Sequence, residues 1–484
     1  MRTNPLQRIT LSLALLVLLM MSCKTENLLA LKPGTTTLRT ENAPGQFIVT
    51  PRKASDYINS IGVNIHMRFT AYKNNFDNII FPKLKTLGIK NIRDGVPYKG
   101  FLNASDTAII KNRFIKLYDS LGIKVTYALD SKKLFDSVAL RNSAYYLSVF
   151  RTSAKLRQTI QTLEGFNEPD LTIYTWDTTP SKSQWAQITY DIQKGLYTGA
   201  HTGSDFAGIP VVSTSLTAYW QNRPPLVAAI TPHISTYFDY ANFHCYDAGN
   251  VNWKMFPATY YDLTKSFFPT IQQGKPYMIT ETGYENARYW NVPGSPGYLQ
   301  SSYHYLSELS SGKYYSVLFM EQMKRGAARV YAYEFLDQNT SDQTSSENNF
   351  GLIHTDGTVK PAFTAIKNTI DLLKDVNTAF TPTPLTYMMS GDTTNIRTYL
   401  FQKTDGRYYL ALWQGQPSGV NYDFPNFQDL PADTQNISIT FTQPFATAKT
   451  YKPMESANPI TSGINIVTMN LAVPDQLLII ELKP

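Results

Sequence analysis

The sequence predicts an α/β fold, a (β/α)8 TIM barrel followed by a C-terminal all-β sandwich domain. From about residue 60, eight short β-rich runs alternate with longer amphipathic segments, which is typical of a parallel sheet covered by helices. From about residue 380, short runs of alternating apolar and polar residues are separated by turn residues, as in a sandwich. The length of 484 residues fits a barrel of about 250–350 residues plus a smaller domain.

The predicted barrel strands share β-branched and aromatic residues, and several end in polar side chains. They span 61–66, 89–95, 123–130, 162–170, 209–216, 238–246, 276–284 and 328–337. The segment 361–375 has the pattern of a closing helix. Eight such units predict a closed barrel rather than an open doubly wound sheet, because no glycine-rich phosphate fingerprint follows the first strand.

The N-terminus has the features of an export signal. Two arginines precede an apolar run from Ile9 to Met21. This run is shorter than a typical membrane-spanning helix. The run ends in Ser22-Cys23 and resembles a bacterial lipoprotein lipobox, which implies lipidation of Cys23 and anchoring in a bacterial cell envelope. An ordinary signal peptide is the alternative. The predicted bounds are 1–22 for the signal peptide, 23–50 for a tether, 51–376 for the barrel and 377–484 for the sandwich.

Composition argues against several classes of protein. The formal net charge is +7, but the basic residues are scattered among the acidic ones, whereas a nucleic-acid-binding surface would cluster them. The six histidines show no metal-ligand spacing, so we expect neither a metal nor a cofactor. Only Cys23 and Cys245 are present, so a lipidated Cys23 leaves no disulfide within the chain. We also expect a monomer.

Two glutamates follow predicted strands at the end where barrel enzymes carry their reactive groups. The fourth strand leads into Asn167-Glu168-Pro169 and the seventh into Glu281-Thr282-Gly283. Cleavage of a glycosidic bond needs one carboxyl that donates a proton and one carboxylate that attacks the anomeric carbon, ~5–5.5 Å apart in retaining enzymes. Proximity of like charges separates their pKa values. We therefore predict Glu168 as acid/base and Glu281 as nucleophile.

Other polar residues at strand ends are candidate substrate ligands. Arg93 would keep the nucleophile ionised, although a core salt bridge is equally compatible with its position. His244 and Tyr246 would donate to the nucleophile or the sugar, and Asn167 would hydrogen-bond the sugar 2-hydroxyl. Asp130, at the end of the third strand, is compatible with a site role or a structural one.

Tryptophans in the loops after strands predict an extended cleft for a polymer. Trp176, Trp220 and Trp290 follow the fourth, fifth and seventh strands, and Trp253 follows the sixth. Aromatic planes suit the apolar faces of sugar rings. The alternative is that some of these side chains cap the barrel or pack against the β domain. His66, which ends the first strand, is better explained as a structural histidine.

Taken together, these residues resemble clan A of the glycoside hydrolases, which are retaining (β/α)8 enzymes. In that clan an Asn-Glu-Pro on strand four carries the acid/base and a Glu on strand seven is the nucleophile, matching 167–169 and Glu281. An arginine on strand two matches Arg93, and a His-x-Tyr on strand six matches His244 and Tyr246. The resemblance covers about residues 55–375, and the attached β domain fits families 30, 39 and 79.

One position departs from the clan pattern. Many members carry a tryptophan at the end of strand eight, where this chain has Tyr333-Glu334-Phe335. The family within the clan therefore stays open, and Glu334 is either a structural acid or a sugar ligand. The resemblance implies a retaining β-glycoside hydrolase, expected to be endo-acting on a polysaccharide at the cell envelope. A non-catalytic carbohydrate-binding lipoprotein and a transglycosylase are the alternatives.

Overall fold

A computed structural model describes residues 39–43, 45–98, 102–129, 143–169, 185–216, 236–247, 256–265, 272–287, 306–339, 345–375, 379–423, 426–429 and 433–484. Three short strands come first: β1 (Arg39–Ala43), β2 (Gln46–Val49) and β3 (Arg52–Lys53). The barrel strands follow: β4 (Ile61–Asn64), β5 (Asn91–Gly95), β6 (Lys124–Leu129), β7 (Ile160–Phe166), β8 (Val211–Val212), β9 (Ala241–His244), β10 (Tyr277–Thr282) and β11 (Ala327–Ala332). Within these ranges, no helix is both long and apolar enough to cross a membrane.

The barrel strands are parallel and follow the order β8-β7-β6-β5-β4-β11-β10-β9. The first and eighth strands, β4 and β11, are therefore neighbours, as a closed barrel requires. Between β8 and β9 the wall is completed by a bridge of Val212 with Tyr240 and by a hydrogen bond of 2.8 Å from the Ser213 N–H to the Tyr240 carbonyl. Every predicted barrel strand is present, so the predicted fold class is confirmed.

Helices connect the strands around the barrel. They are α1 (Ala54–Ser60), α2 (Thr70–Asn74), α3 (Phe81–Leu87), α4 (Ala104–Leu121), α5 (Ser143–Arg151), α6 (Ala154–Gln158), α7 (Trp185–His201), α8 (Thr259–Thr264), α9 (Glu308–Lys324) and α10 (Pro361–Leu373), with a π-helical turn at Phe76–Ile80 and a 3-10 turn at Ser346–Asn348. Helix α4 begins where the Asn103 side chain accepts from the Asp106 N–H, which satisfies a donor of the first turn. Helix α10 is the predicted closing helix, and Pro361 suits its first turn.

Side chains of the barrel strands alternate between the inside and the outside of the barrel, because successive side chains of a strand point to opposite faces. One face contributes apolar side chains to the large buried core, among them Val63, Ile92 and Ile279. Burying each such side chain stabilises the fold by about 1.5–3 kcal/mol. The other face is polar and lies inside the barrel, where Asn64 donates 2.9 Å to the Thr280 carbonyl. The barrel interior therefore supplies polar groups directly beneath its mouth.

The C-terminal strands form a second, mostly antiparallel sheet. They are β12 (Leu385–Gly391), β13 (Ile396–Gln402), β14 (Tyr408–Gln414), β15 (Gly419–Asp423), β16 (Asn426–Asp429), β17 (Gln435–Tyr451), β18 (Thr461–Val473) and β19 (Leu478–Lys483). The sheet runs β1-β2-β12-β17-β19-β14-β13-β3, with β18 beside β17 and β15–β16 as a separate hairpin. This domain confirms the predicted sandwich.

The N-terminal strands belong to this second sheet. Strand β2 pairs with β12 and β3 pairs with β13, so residues 39–53 lie beside a domain that follows them by more than 300 positions in the sequence. Residues 39–43 and 46–49, at the end of the segment predicted as a tether, form paired strands. A turn at Gly45, with φ of +78°, joins β1 to β2, and the left-handed backbone there favours glycine.

The sandwich packs on the barrel through one face of β13, β14 and β19. Leu410 and Leu412 point into the sandwich core, while Tyr409 and Trp413 join the core of the barrel. Inside this contact, the fully buried Glu321 of α9 accepts hydrogen bonds of 2.7 Å from Trp413 Nε1 and 2.8 Å from Arg397. Burial raises the pKa of Glu321, but the charges of Arg397 and Arg325 outweigh it and hold the pKa below its ordinary value.

Candidate functional site

The two predicted catalytic glutamates meet at the mouth of the barrel. Glu168 lies two residues beyond β7, and Glu281 is the second-to-last residue of β10. One carboxylate oxygen of Glu168, one of Glu281 and a ring nitrogen of His244 all lie within 4.8 Å of one another. The predicted pair is therefore one cluster, with the carboxyl groups close enough to act on a single bond.

The backbone at Glu168 takes an unusual conformation. Its φ is +45°, in the left-handed region that costs a non-glycine residue about 1–3 kcal/mol. The Glu168 N–H donates 3.1 Å to the Ser215 carbonyl, and the preceding Asn167 N–H donates 3.0 Å to the Leu129 carbonyl. These bonds to both neighbouring strand ends hold the strained turn, which aims the Glu168 side chain at the mouth.

The backbone after Glu281 is packed equally closely. A Cβ on Gly283 would lie 2.1 Å from the Tyr333 carbonyl oxygen, so only glycine allows the ends of β10 and β11 to approach this closely. The Tyr333 N–H also donates 2.8 Å to the Thr282 carbonyl. The Thr-Gly after Glu281 therefore has a structural reason.

Arg93 is the centre of the polar network below the mouth. Its guanidinium donates to both oxygens of Glu164, at 2.8 and 2.7 Å, and reaches Glu281 Oε1 at 2.5 Å. It also donates to Asn167 Oδ1 at 2.6 Å and Asn64 Oδ1 at 3.0 Å. Arg93 thus forms a buried ion pair with Glu164 and also bonds Glu281, which is compatible with both sequence-based interpretations.

Glu281 has the surroundings of an ionised carboxylate. Tyr246 donates 2.7 Å to its Oε2, while Arg93 holds Oε1. Burial raises the pKa of Glu281, but the positive charges of His244 and Arg93 and the hydrogen bonds from Tyr246 and Arg93 lower it below its ordinary value. Hydrogen bonds to the charged form favour ionisation, and ionisation is what an attacking carboxylate requires.

His244 contacts Glu168 more closely than it contacts Glu281. Its Nδ1 lies 2.6 Å from Glu168 Oε1 and 3.4 Å from Glu281 Oε2, and its Nε2 lies 3.1 Å from Thr280 Oγ1. Burial lowers the pKa of His244, but the two carboxylates raise it by more, so the pKa lies above its ordinary value. The sequence predicted a donor to the nucleophile or the sugar, whereas the structure places this ring closer to Glu168 than to Glu281.

Asn167 is oriented by Arg93. Its Oδ1 accepts from the guanidinium at 2.6 Å and from Ser215 Oγ at 3.5 Å. Because the oxygen faces donors, the amide nitrogen must point away from the guanidinium. Its N–H groups are then the donors that the predicted bond to a sugar hydroxyl would use.

An aromatic residue does stand at the end of the eighth barrel strand. The Tyr333 ring centroid lies 6.1 Å from that of Tyr246, 5.4 Å from that of His66 and 5.3 Å from that of Phe350. The Tyr333–Glu334 peptide bond is cis. Tyr333 therefore occupies the wall beside Glu281, at the position where the resemblance implied a tryptophan.

Glu334 points away from this wall and into the protein. It is fully buried and accepts 2.8 Å from the Tyr72 hydroxyl and 2.7 Å from Gln338 Nε2. Burial raises its pKa well above the ordinary value. His66 Nε2 lies 3.4 Å from this carboxyl, and burial lowers the pKa of His66 to about 3. Both pKa shifts favour the neutral forms of Glu334 and His66, and the buried hydrogen bonds of Glu334 favour the structural interpretation of this acid.

Sequence reasoning missed three contributors to the site. Glu164 is completely buried and pairs with Arg93, Asn64 accepts from Arg93, and Thr280 contacts both His244 and Glu164. All three lie inside the barrel, and all interrupt apolar strands with a polar residue. A charged residue in the middle of a buried strand requires a counterion, and that signal could have identified Glu164.

Several predicted residues lie outside the described residues. They are Asp130, Trp176, Trp220, Trp253, Trp290 and Cys23. Nearer the described mouth, a small recess lies beside the ends of β4 and β5. Its lining includes Met67, Arg68, Asp94 and Tyr98, and burial raises the pKa of Asp94 to about 7.

Among the described residues, Glu168, His244 and Glu281 are spaced so that they could contact one metal ion. Two features oppose this use. A histidine ligand must be neutral, whereas the raised pKa of His244 favours its protonated form. The Arg93 guanidinium, 2.5 Å from Glu281, would also repel a cation. The donor set suits a hydrogen-bonded acid pair better than a metal centre.

Comparison with known proteins gives similarity of fold. No protein-family model and no curated protein sequence matches the chain. A glucosidase from Croceicoccus marinus superposes with a TM-score of 0.57 at 9% identity, covering 87% of this chain and 95% of that one. A family 51 α-L-arabinofuranosidase from Bifidobacterium longum gives 0.55 at 11% identity, covering 92% and 99%.

A third solved structure shares the same architecture. A family 39 glycoside hydrolase from Bacteroides cellulosilyticus WH2 gives a TM-score of 0.50 at 13% identity, covering 91% of this chain and 88% of that one. At these identities the similarity shows the fold alone. It confirms the structural resemblance that the strand-end motifs indicated, a barrel with an attached β domain.

Proposed function

We propose that this protein is a retaining O-glycoside hydrolase, with Glu281 as nucleophile and Glu168 as acid/base. The observation that carries the proposal is the spacing of this pair, whose nearest oxygens lie within 4.8 Å of each other. An inverting enzyme needs its carboxyl groups about 6.5–9.5 Å apart to admit a water molecule, whereas a retaining enzyme needs about 5–5.5 Å. The short spacing supports the retaining arrangement.

The first chemical step forms a glycosyl ester. A Glu281 carboxylate oxygen attacks the anomeric carbon, the bond from that carbon to the leaving oxygen breaks, and Glu168 gives its proton to that oxygen. Arg93 and Tyr246 hold Glu281 by separate oxygens, which fixes the plane of the carboxylate. When Glu168 loses its proton, His244, at 2.6 Å, can donate to the new carboxylate.

The second step hydrolyses the ester. Glu168, now a base, takes a proton from water, and the resulting hydroxide attacks the anomeric carbon. The carbon–oxygen bond to Glu281 breaks, which restores a Glu281 carboxylate and a protonated Glu168. Two inversions leave the configuration of the sugar unchanged. Arg93 and Tyr246 stabilise the departing carboxylate through the bonds that lower its pKa.

The substrate and cellular location extend the same proposal. We infer that the substrate is a β-linked polysaccharide cut internally, because tryptophans follow several of the barrel strands in the sequence. The similar solved proteins are described as a glucosidase, an arabinofuranosidase and a glycoside hydrolase, which is compatible with this chemistry. The lipobox-like Ser22-Cys23 supports anchoring in the bacterial cell envelope.

Activity is tested first on a panel of soluble β-linked polysaccharides and aryl β-glycosides, by release of reducing ends or of the phenol. The wild type should be active, and Glu281→Gln should lose on the order of 10⁴–10⁶-fold, as expected when a nucleophile is removed. Glu168→Ala should lose about 10²–10⁴-fold on poor leaving groups and much less on good ones. Glu455→Gln, an equal change of charge on an exposed loop of the sandwich, is the control.

The retaining mechanism has a more direct test. A 2-deoxy-2-fluoro aryl glycoside should trap the ester, and peptide mass spectrometry should find the sugar on Glu281. Proton NMR should show that the first product keeps the substrate configuration. An initial product of inverted configuration would refute the mechanism, and a wild type that binds glycans but never cleaves them would favour the carbohydrate-binding alternative.

Anchoring needs its own measurement. Cells that express the full chain are fed an alkyne-bearing palmitate analogue, and lipid incorporation is followed by gel fluorescence. Label should enter the wild type and Cys245→Ser but not Cys23→Ala. Equal labelling of Cys23→Ala would exclude Cys23 as the lipid attachment site.

A further inference from the structure

A third acidic residue stands at the mouth, and the proposed mechanism does not use it. Glu347 belongs to the 3-10 turn Ser346–Asn348, which follows the end of the eighth barrel strand. Its Oε2 accepts a hydrogen bond of 3.4 Å from the hydroxyl of Tyr333, the residue that forms the wall beside Glu281. The residue as a whole is exposed to solvent.

The segment that carries Glu347 is packed against the catalytic wall. Three residues further on, Phe350 places its ring centroid 5.3 Å from that of Tyr333 and 5.8 Å from that of Tyr246. Its carbonyl accepts 3.1 Å from the Glu334 N–H. Because Phe350 ties the segment that follows the turn to Tyr333 and Glu334, Glu347 is held beside the wall that Tyr333 forms.

The electrostatic surroundings agree with this position. Burial of the carboxyl group by surrounding protein atoms and the negative charges of Glu281 and Glu168 together raise the pKa of Glu347 to about 7. The carboxylate thus lies within electrostatic range of both proposed catalytic residues. Its single described bond, to Tyr333, is long, so the group keeps most of its capacity to accept further hydrogen bonds.

A carboxylate in such a place can do what neither catalytic residue can. It can accept hydrogen bonds from two neighbouring hydroxyl groups of one sugar, since its two oxygens offer several acceptor positions. It cannot donate one when ionised, and it repels another carboxylate at close range. A uronate sugar bound beside Glu347 would bring its negative charge close to the carboxylates of Glu347 and Glu281, whereas a neutral sugar would not.

We propose that Glu347 is a specificity-determining residue that accepts hydrogen bonds from sugar hydroxyls beside the bond to be cut. The cleft then selects neutral sugar units and disfavours uronates. This proposal rests on the proposed function, because it assumes that a sugar ring occupies the mouth defined by Glu281 and Tyr333.

The kinetic test uses pairs of aryl glycosides that differ only at carbon 6, such as a β-glucoside with its β-glucuronide and a β-galactoside with its β-galacturonide. The wild type should prefer the neutral member. Glu347→Gln and Glu347→Ala should lower kcat/KM for it by about 10- to 100-fold, which corresponds to one hydrogen bond with a charged group, mainly through KM. The preference over the uronide should shrink in both variants.

A binding experiment keeps the inference testable if no turnover is found. Isothermal titration with neutral β-1,4-linked glucose oligosaccharides and with the corresponding β-1,4-linked oligoglucuronate compares the wild type with Glu347→Gln, and Glu455→Gln is the control for charge. Tighter binding of the neutral ligands that depends on Glu347 supports the inference even if the proposed hydrolysis fails. Variants within twofold of the wild type in both assays, or a wild type that prefers the uronate, would overturn it while leaving the hydrolase assignment intact.

Discussion

The hydroxyl of Tyr246 offers a clean test of how the site keeps Glu281 ionised. Tyr246→Phe removes one oxygen and leaves the ring contacts with Tyr333 and Phe350 in place. The lost bond, 2.7 Å long, is made to Glu281 Oε2. A hydrogen bond to a charged group contributes about 1.5–3 kcal/mol, and tenfold in an ionisation constant corresponds to about 1.4 kcal/mol. The acidic limb of the activity profile should therefore move up by about one to two pH units.

The same variant has a predicted effect on stability. A carboxyl whose pKa is lowered by folding contributes stability above its unfolded pKa, and that stability is lost as the pH falls through the folded value. The pKa of Glu281 is lowered, so Tyr246→Phe should be destabilised at neutral pH by up to about 1.5–3 kcal/mol. The difference from the wild type should disappear in acid.

The assay is kcat/KM for an aryl glycoside between about pH 4 and 9, with thermal unfolding followed over the acidic and neutral range. Tyr118→Phe, on the outer helix α4, removes a hydroxyl away from the mouth and is the matched control. An acidic limb that stays in place in Tyr246→Phe, with activity otherwise reduced, would refute the view that this hydroxyl sets the ionisation of Glu281.

Two further changes test the buried polar groups. Arg93→Met leaves the buried Glu164 and Glu281 without their shared counterion, so the free energy of unfolding measured in urea should fall by about 3–5 kcal/mol. The double variant Arg93→Met/Glu164→Gln should recover part of this free energy. A decrease below ~1 kcal/mol in Arg93→Met would contradict the ion pair. Glu334→Gln should gain stability over the wild type as the pH rises from about 5 to 8, because a carboxyl whose pKa is raised by folding loses its contribution as the pH rises. A melting-temperature difference that is flat with pH would show that Glu334 is not held neutral.

The barrel could be predicted from the sequence because the patterns of its β-rich runs and of its amphipathic helices are both strong. Val63, Ile92 and Ile279 belong to β-rich runs that end in polar residues, and the helices between them have apolar stripes. Glu168 and Glu281 could be paired in advance because parallel strands deliver their C-terminal ends to one mouth. That argument needs only strand order, which the alternation of elements supplies.

Other parts of the site depend on contacts that sequence order does not encode. The bond from His244 to Glu168 rather than Glu281 depends on a difference between 2.6 and 3.4 Å, which is set by side-chain rotamers. Glu347 lies ten positions beyond Asp337, directly after a serine- and threonine-containing stretch, and nothing in its neighbours signals a return to the mouth. It is brought there by the packing of Phe350.

The N-terminal strands show a third limit. Strand β2 is a four-residue run that is too short to carry a convincing alternation, and its partner β12 begins at Leu385. A strand whose partner is more than 300 residues away is specified by long-range packing, since local propensity for β structure depends strongly on such neighbours. Phe47 joins the sandwich core with Leu385 and Tyr387, and that contact holds the strand.

The carboxylate of Glu321 makes the barrel dependent on the sandwich. Two of its partners, Arg397 and Trp413, come from the sandwich, and Arg325 comes from the barrel. A chain cut after α10 would expose this acid and the apolar surface around it to water, with Arg325 as the remaining cation among these hydrogen-bond partners. The barrel is therefore unsuited to being expressed without the sandwich. Any other β domain fused in its place would have to supply a guanidinium and an indole donor at these positions.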